Sequence, residues 1–288
     1  MRTKPDPALA RHLKRALSTA TAAALEAGRF LRAKYGRHRT LSHKADKSLV
    51  TEADRGAERM VVRRIRKAFP EDAILGEESG LTEGAAAAAR RSRESEHLGH
   101  FRWHIDPLDG TTNFVHALPM FCVSIGLEHE DGDLVLGVIH NPVTGDTFRA
   151  TLGGGAWKNG KPIRVSRTCS VTDALLSTGF SYRRDVYYDR ELSGFSRVLR
   201  ECRAIRRIGS AALDLSLVAC GQFDGFWEHG LSSWDVCAGI AILREAGGQV
   251  TNLSGEEYRL GDEGILATNR RLHPSLLALM HERRRRSR

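Results

Sequence analysis

The stretch Trp103-His104-Ile105-Asp106-Pro107-Leu108-Asp109-Gly110-Thr111-Thr112-Asn113-Phe114 carries the densest chemistry in the chain. An apolar, strand-like run enters two carboxylates that stand three residues apart around a proline. Pro107 fixes its own φ and has no N–H to give a ladder, which predicts a stiff turn after a strand over 101–105. Gly110 permits tight backbone geometry, while Thr111 and Thr112 add hydroxyls and backbone N–H groups. Such a turn can bring Asp106, the Leu108 carbonyl and Asp109 to one point. A donor set made only of oxygen suits Mg²⁺, a hard ion that binds through a few carboxylates and keeps waters. The same residues are equally compatible with an Asx-rich turn that caps a helix.

Two further acidic positions widen the pattern. Glu77-Glu78 follows the short apolar run 73–75, and strand ends of α/β proteins commonly present ligands. A solvated acidic loop is the alternative there. Asp235 stands beside Trp234 at the start of an apolar helical run, where a carboxylate also favours the helix dipole with no further role. The combination of all three points to a metal centre more than any one of them does.

The elements that would position these groups follow from periodicity and caps. Asp6-Pro7 reads as an N-cap and first helical residue, opening a helix with Leu9, Leu13 and Leu17 on one face and an end at Gly36. After the polar stretch 44–48, Thr51-x-x-Asp54 resembles a capping box. The helix that follows directs Met60, Val61, Ile65 and Ala68 inward and stops before Pro70. Residues 84–97 are low in complexity and charged, a helix turn or a mobile loop. Strands are predicted at 101–105, 121–128, 134–140 and 147–151, with a hairpin at Asn159-Gly160. From about residue 170 strands at 174–178, 204–206, 225–227 and 265–268 alternate with helices that include 209–220 and 234–246. A strand-rich first half and an alternating second half make a multi-layered α/β protein without internal repeats. Gly155-x₄-Gly160-Lys161 imitates a phosphate-binding loop, but Pro162 replaces the hydroxyl such a loop needs and the segment reads as a hairpin.

Composition narrows the classes. With 41% hydrophobic and 27% charged residues the chain is ordinary globular material. No run reaches the apolar length of a membrane span, and Asp6, Arg11, Lys14 and Arg15 interrupt any secretory signal, so a cytosolic protein without membrane contact is expected. The five cysteines are scattered and form no Cys-x-x-Cys pair, which makes buried free thiols the expectation. A formal net charge of +9 favours anionic partners. Much of the excess sits in Arg283, Arg284, Arg285, Arg286 and Arg288, a basic tail of the kind that is usually solvated. Nucleic acid is a weaker candidate partner than a small phosphorylated molecule, because no nucleic-acid-reading module accompanies the charge.

At this point the sequence resembles the inositol monophosphatase family. The run 103–116, with Asp-Pro-Leu-Asp-Gly-Thr-Thr at its centre, looks like that family's first signature. Trp234-Asp235-Val236-Cys237-Ala238-Gly239, continuing to Glu245-Ala246-Gly247-Gly248, looks like its second. Gly76-Glu77-Glu78-Ser79 and Leu49-Val50-Thr51-Glu52-Ala53-Asp54 match two further blocks, in family order, and the similarity spans roughly residues 8–280. The resemblance implies a layered αβαβα sugar-phosphatase fold, with one half over 8–165 carrying most metal ligands and a second over 166–280, while the charge run alone makes 281–288 a basic tail expected to be disordered. It also implies two or three Mg²⁺ ions and sensitivity to lithium. One ion would take Glu77, Asp106 and the Leu108 carbonyl, and a second Asp106, Asp109 and Asp235. A third would lean on Glu77 and water. Asp54, Thr111 and Glu77 would be catalytic, with Thr111, backed by Asp54, orienting the attacking water. Asp109, Gly110, Thr111, Glu228 and Asp235 would contact substrate, Glu228 through the hydroxyls of an inositol ring. Gly209-Ser210-Ala211-Ala212 is similar to the family's substrate-side loop. Family members are often homodimers.

The chemistry of phosphate esters agrees with that layout. Phosphomonoesters hydrolyse so slowly in water that a catalyst must neutralise charge and align the nucleophile. Paired metals do both with activated water, and the sequence indeed has no Gly-x-Ser-x-Gly elbow to supply a protein nucleophile. The expected activity is therefore Mg²⁺-dependent hydrolysis of inositol 1-phosphate or a similar polyol phosphate. Histidinol-phosphate, fructose-1,6-bisphosphate and 3′-phosphoadenosine phosphatases are the alternatives within the superfamily. An RNA- or protein-binding scaffold is the alternative outside it.

Overall fold

The computed structural model describes residues 5–36, 42–43, 49–50, 52–84, 100–181 and 184–281. Thr51 of the expected capping box, the polar stretch 44–48, most of the low-complexity run 84–97 and the basic tail beyond His281 lie outside these residues. Five layers stack in the order αβαβα. The first is a helix pair, α1 (Pro7–Lys34) and α2 (Glu52–Ala68), linked by the short strands β1 (Ser42–His43) and β2 (Leu49–Val50). Asp6 Oδ1 caps α1 by accepting from the N–H groups of Ala8 (2.8 Å) and Leu9 (2.9 Å). The buried face of α1 is mostly alanine, with Leu13 and Leu31 at its ends, so the helix lies close on the sheet below. In α2 Val61 and Ile65 are buried as expected, whereas Met60 and Ala68 are only half-buried because they stand at the edges of that face.

The second layer is an eight-stranded sheet in the order β10-β9-β8-β7-β6-β5-β3-β4. Its strands are β3 (Ala73–Gly76), β4 (Gly80–Thr82), β5 (Phe101–Asp109), β6 (Cys122–His129), β7 (Leu134–His140), β8 (Thr147–Thr151), β9 (Gly155–Lys158) and β10 (Lys161–Pro162). The β9–β10 hairpin turns at Asn159-Gly160, which confirms that the imitation phosphate loop is a hairpin. One strand boundary is corrected. β5 does not stop at 105 but continues through Pro107 to Asp109, using three residues from Asp106 to Asp109 where β6 uses two from Ser124 to Cys122. That bulge absorbs the proline, whose missing N–H costs nothing where the ladder is already broken, and it re-aims the two carboxylates.

The middle layer holds α5 (Ala211–Ala219) and α6 (Ser233–Glu245), enclosed between the two sheets by a continuous apolar core. The fourth layer is a mixed five-stranded sheet in the order β12-β11-β13-β15-β14. Its strands are β11 (Leu175–Thr178), β12 (Ala204–Arg206), β13 (Gly225–His229), β14 (Gln249–Asn252) and β15 (Gly264–Thr268), with β11 parallel to β12 and β13. The outer layer is α4 (Arg184–Glu201) with α7 (His273–His281), while the short α3 (Thr111–Val115) follows β5 directly. Neither β14 nor α7 is anticipated by the sequence patterns. The thiol expectation also needs correction: Cys122 and Cys237 are buried, Cys202 and Cys220 half-buried and Cys169 exposed. Apolar sequence neighbours do not bury a residue in a connecting segment or at the end of a helix.

The first apolar layer contains one costly group. Asp72 is buried and accepts a 2.8 Å hydrogen bond from Trp103 Nε1. Burial pushes its carboxyl up to about 6 against the opposing effect of that bond. Because the folded-state value exceeds the unfolded one, stability is fullest below the ordinary value and declines as pH rises through about 6. Asp72→Asn keeps an acceptor for Trp103 and removes this term. Urea denaturation should show the variant gaining up to about 3 kcal/mol over the parent at pH 8 and nothing at pH 3.5. An equal difference at both pH values would mean that the carboxylate is not the group responsible.

Candidate active site

Strand order, more than chain proximity, assembles the acidic groups. β3 runs parallel to β5, with Gly76 opposite Ile105, so Glu77 emerges next to Asp106. Asp235 reaches the same place from the first turn of α6, where its Oδ2 accepts the Ser232 N–H at 2.7 Å. Helix α6 can come this close because glycines lie beneath it: a Cβ on Gly126 would stand 2.4 Å from Cys237 Sγ, and one on Gly137 2.2 Å from the Ala238 carbonyl oxygen. Gly126 and Gly137 are themselves cross-strand partners. Gly110, at φ +93°, turns the chain from β5 into α3, and a Cβ there would meet the Met120 carbonyl at 2.8 Å.

Glu77, Asp106, Leu108, Asp109, Gly110, Thr111, Glu228 and Asp235 all line one cleft of about 270 Å³. Asp54, the remaining expected residue, lies buried behind Thr111, whose Oγ1 is 3.4 Å from Asp54 Oδ2 and 3.0 Å from the Leu108 carbonyl. Asp54 and Glu77 also converge with Glu78, their carboxylate oxygens lying within 4.8 Å of one another. Glu78 is not among the expected ligands; its adjacency to Glu77 was the available signal. It also pairs with Arg55 at 3.6 Å, and its N–H donates to Glu58 Oε2 at 2.9 Å.

The electrostatics of the cleft are adverse to the protein alone. Desolvation and then the charges of Glu77, Asp109, Asp235 and Asp54 push the Asp106 carboxyl far above its ordinary value. Asp235 rises for the same reasons, desolvation first and then Asp109 and Glu77, with hydrogen bonds from Ser232 and Asp106 opposing. Asp109 is pushed up to about 6 by desolvation, although Ser210 and the backbone of Ala212 hold it down. Carboxylates that raise one another in this way are costly without a cation and become ligands with one. The donor set, all oxygen and four carboxylates deep, therefore fits a hard divalent ion.

Several side chains that shape the cleft lie in quoted motifs without a role of their own, or in none. Ser210 Oγ and the Ala212 N–H donate to Asp109 Oδ2 at 2.6 and 2.7 Å, so the start of α5 fixes the rotamer of this carboxylate. Asn113 ties α3 to the same loop by donating to the Ile208 carbonyl (2.8 Å), and to the segment entering β6 by donating to the Met120 carbonyl (2.6 Å). Asp214 lines the cleft from α5, is 1% exposed, and its Oδ1 has no hydrogen-bond partner among the described residues. A charge inside the apolar run 211–219 was the signal for it. Glu228, at the end of β13, fills the space against Gly179, where a Cβ would lie 2.1 Å from its carboxylate. Burial, then Asp214, Asp235 and Asp109, push Glu228 up, and Arg207 at the rim of the cleft opposes them.

A five-layered αβαβα frame that gathers carboxylates and a Gly-Thr turn into one cleft defines a phosphomonoester hydrolase, and the comparisons with known proteins agree. The model of the inositol monophosphatase family matches residues 12–285, and the chain belongs to that family. It is 43% identical to an inositol-1-monophosphatase of Synechocystis over 90% of this chain and 86% of that one. It is 42% identical to a protein of Pseudomonas aeruginosa named Nus factor SuhB, over 83% of this chain and 84% of that one. The solved inositol monophosphatase of Anabaena superposes with a TM-score of 0.80 at 40% identity, covering 93% and 96% of the two chains. Among the described residues no helix is long and apolar enough to cross a membrane.

Proposed function

We propose that this phosphatase hydrolyses inositol 1-phosphate or a closely similar polyol phosphate with Mg²⁺. The observation that supports this reading is the convergence of Glu77, Asp106, Asp109 and Asp235 on one cleft beside the turn of Gly110 and Thr111. One ion would be held by Glu77, Asp106 and the Leu108 carbonyl, a second by Asp106, Asp109 and Asp235, and a weaker third by Glu77 and water. Bound there, Mg²⁺ supplies charge neutralisation at the phosphate oxygens and acidifies water. The protein does the rest. Thr111 Oγ1 would accept a hydrogen bond from the attacking water and turn its own proton toward Asp54, so that the water's proton passes by way of Thr111 to the Asp54 carboxylate while the P–O ester bond breaks and the leaving alkoxide takes a proton from a second water. The N–H groups of Gly110 and Thr111 hold phosphate oxygens. Glu228 accepts from a ring hydroxyl.

A phosphate-release panel tests the reading. Inositol 1-phosphate should exceed histidinol phosphate, fructose 1,6-bisphosphate and 3′-phosphoadenosine phosphate in kcat/KM, and chelation should abolish all four; any other winner overturns the substrate assignment. Glu228→Gln keeps the shape and one acceptor but removes the charge. It should lower kcat/KM for inositol 1-phosphate by roughly 10- to 100-fold, the worth of a hydrogen bond to a charged group. Glycerol 2-phosphate, lacking the ring, should change much less. Equal losses on both would place Glu228 in support of the metal ligands instead.

A second role is favoured by one observation, the 42% identity to a protein named as a Nus factor. Together with the net charge of +9 it keeps RNA or a protein scaffold as a second partner class. Retention on immobilised RNA that falls steeply with salt, and survives Asp106→Asn, would support that role. We further propose a homodimer in the cytosol, which sedimentation and fractionation would check.

A further inference from the structure

The strand and the helix that carry Asp106 and Asp235 are joined by a second contact one step away. His104 precedes Asp106 by two residues on β5, so both side chains leave the same face of the strand. Ser233 precedes Asp235 by two residues in the first turn of α6. His104 Nδ1 lies 2.9 Å from Ser233 Oγ, and its Nε2 lies 3.0 Å from Glu128 Oε2. The ring is 2% exposed, and Arg102 holds the same Glu128 oxygen from outside at 3.6 Å. A carboxylate only accepts, so Nε2 carries a proton toward Glu128, and a hydrogen bond between Nδ1 and the serine hydroxyl forms the other end of the chain. Ser124 Oγ on β6 adds a weaker link to the Trp234 carbonyl at 3.4 Å.

Two rungs thus join β5 to α6. Asp106 with Asp235 is the adverse one, since both are carboxylates facing Glu77 and Asp109 as well. His104 with Ser233 is the favourable one, and it stands beside the first. We propose that Glu128, His104 and Ser233 are positioning residues that clamp the start of α6 to β5 and hold Asp106 and Asp235 close enough to share one divalent cation. The clamp rests on the metal-centre reading above. Its effect is preorganisation: the strand and helix are tied together before the ion binds, so that binding does not have to bear the whole cost of joining them.

The test uses Mg²⁺ alone as the probe. Titration calorimetry should find Ser233→Ala and His104→Leu each weakening Mg²⁺ by about tenfold, within the range of couplings between contacting residues. The double variant should lose no more than about the larger single loss, because both substitutions break one contact. Ser233→Thr keeps the hydroxyl and should stay within about twofold of the parent. At saturating Mg²⁺ the Ser233→Ala variant should recover most of kcat, the loss residing in the concentration of metal required. Unchanged Mg²⁺ affinity in Ser233→Ala, or losses that add in full in the double variant, would overturn the clamp while leaving the metal centre intact. Absence of Mg²⁺ binding by the unaltered protein would overturn both. Ser233 is half-exposed in the first turn of α6, so its truncation reads the clamp even where His104→Leu fails to fold.

Discussion

Asp106→Asn and Asp235→Asn are each expected to lower kcat at saturating Mg²⁺ by at least about a thousandfold while the protein stays folded. Both side chains face the same cleft, and each is assigned to an ion that would neutralise the phosphate. Losing one anionic oxygen weakens the ion and also shifts the charge balance across the remaining carboxylates, so the damage should far exceed that of altering a supporting residue, about 10- to 100-fold. Stability should move the other way. Without metal, desolvation and the neighbouring acids make an ionised Asp106 unfavourable, as the upward push on its carboxyl indicates. A neutral amide removes that cost, so in chelator the variants should melt no lower than the parent. The rise in melting temperature that Mg²⁺ gives the parent by binding only the folded state should be lost in them. Turnover comparable to the parent in either variant, or after exhaustive chelation, would sink the metal-centre mechanism.

How far the sequence discloses this site depends on the range over which each contact forms. Asp106, Leu108, Asp109, Gly110 and Thr111 are readable because one turn brings them together, and a turn is written in adjacent residues. Glu77 and Asp235 have respectable alternative explanations in isolation. What unites them is that β3 lies beside β5 and that α6 lies across β6 and β7, facts of strand order that no local pattern encodes. Family resemblance supplied that long-range information. Ser210, which holds Asp109 from 101 positions away, was announced only as part of a substrate-side loop and not as a partner of Asp109, and Ser233, which meets His104 across 129, had no signature at all. Pro107 shows the opposite failure. Its chemistry was read correctly, as a residue that cannot join a regular ladder, but the conclusion that the strand must end there overlooked a bulge. In the αβαβα frame the apolar periodicity of α1 and α2 was sufficient, whereas β14 and α7 carry patterns too short to stand out.

Gly137→Ala should disable the enzyme from outside the cleft. Its Cβ would lie 2.2 Å from the carbonyl oxygen of Ala238 and 3.0 Å from that residue's Cα, atoms of the α6 backbone that no rotamer change can move. The helix has to lift. Overpacking of this kind costs about 1–3 kcal/mol, visible as a lower melting temperature. The larger consequence is at Asp235, three residues from Ala238 on the same helix, which would rise with it away from Asp106. A displacement of about 1 Å in a positioned group is worth on the order of a hundredfold in rate, so kcat/KM should fall by about that factor and the Mg²⁺ requirement should increase. Gly126→Ala is the milder neighbour, since its closest obstacle is the Cys237 sulfur, which can rotate, although the Ala238 N–H at 2.8 Å limits the relief. Gly132→Ala is the control. Its φ of +88° makes an alanine strained there, yet nothing lies within 4 Å of the added carbon, so it should cost about 1 kcal/mol of stability and no activity. If Gly137→Ala lost stability but kept its activity within a few-fold, the placement of Asp235 would not depend on how closely α6 lies on the sheet, and the two glycines under it would be a packing detail only.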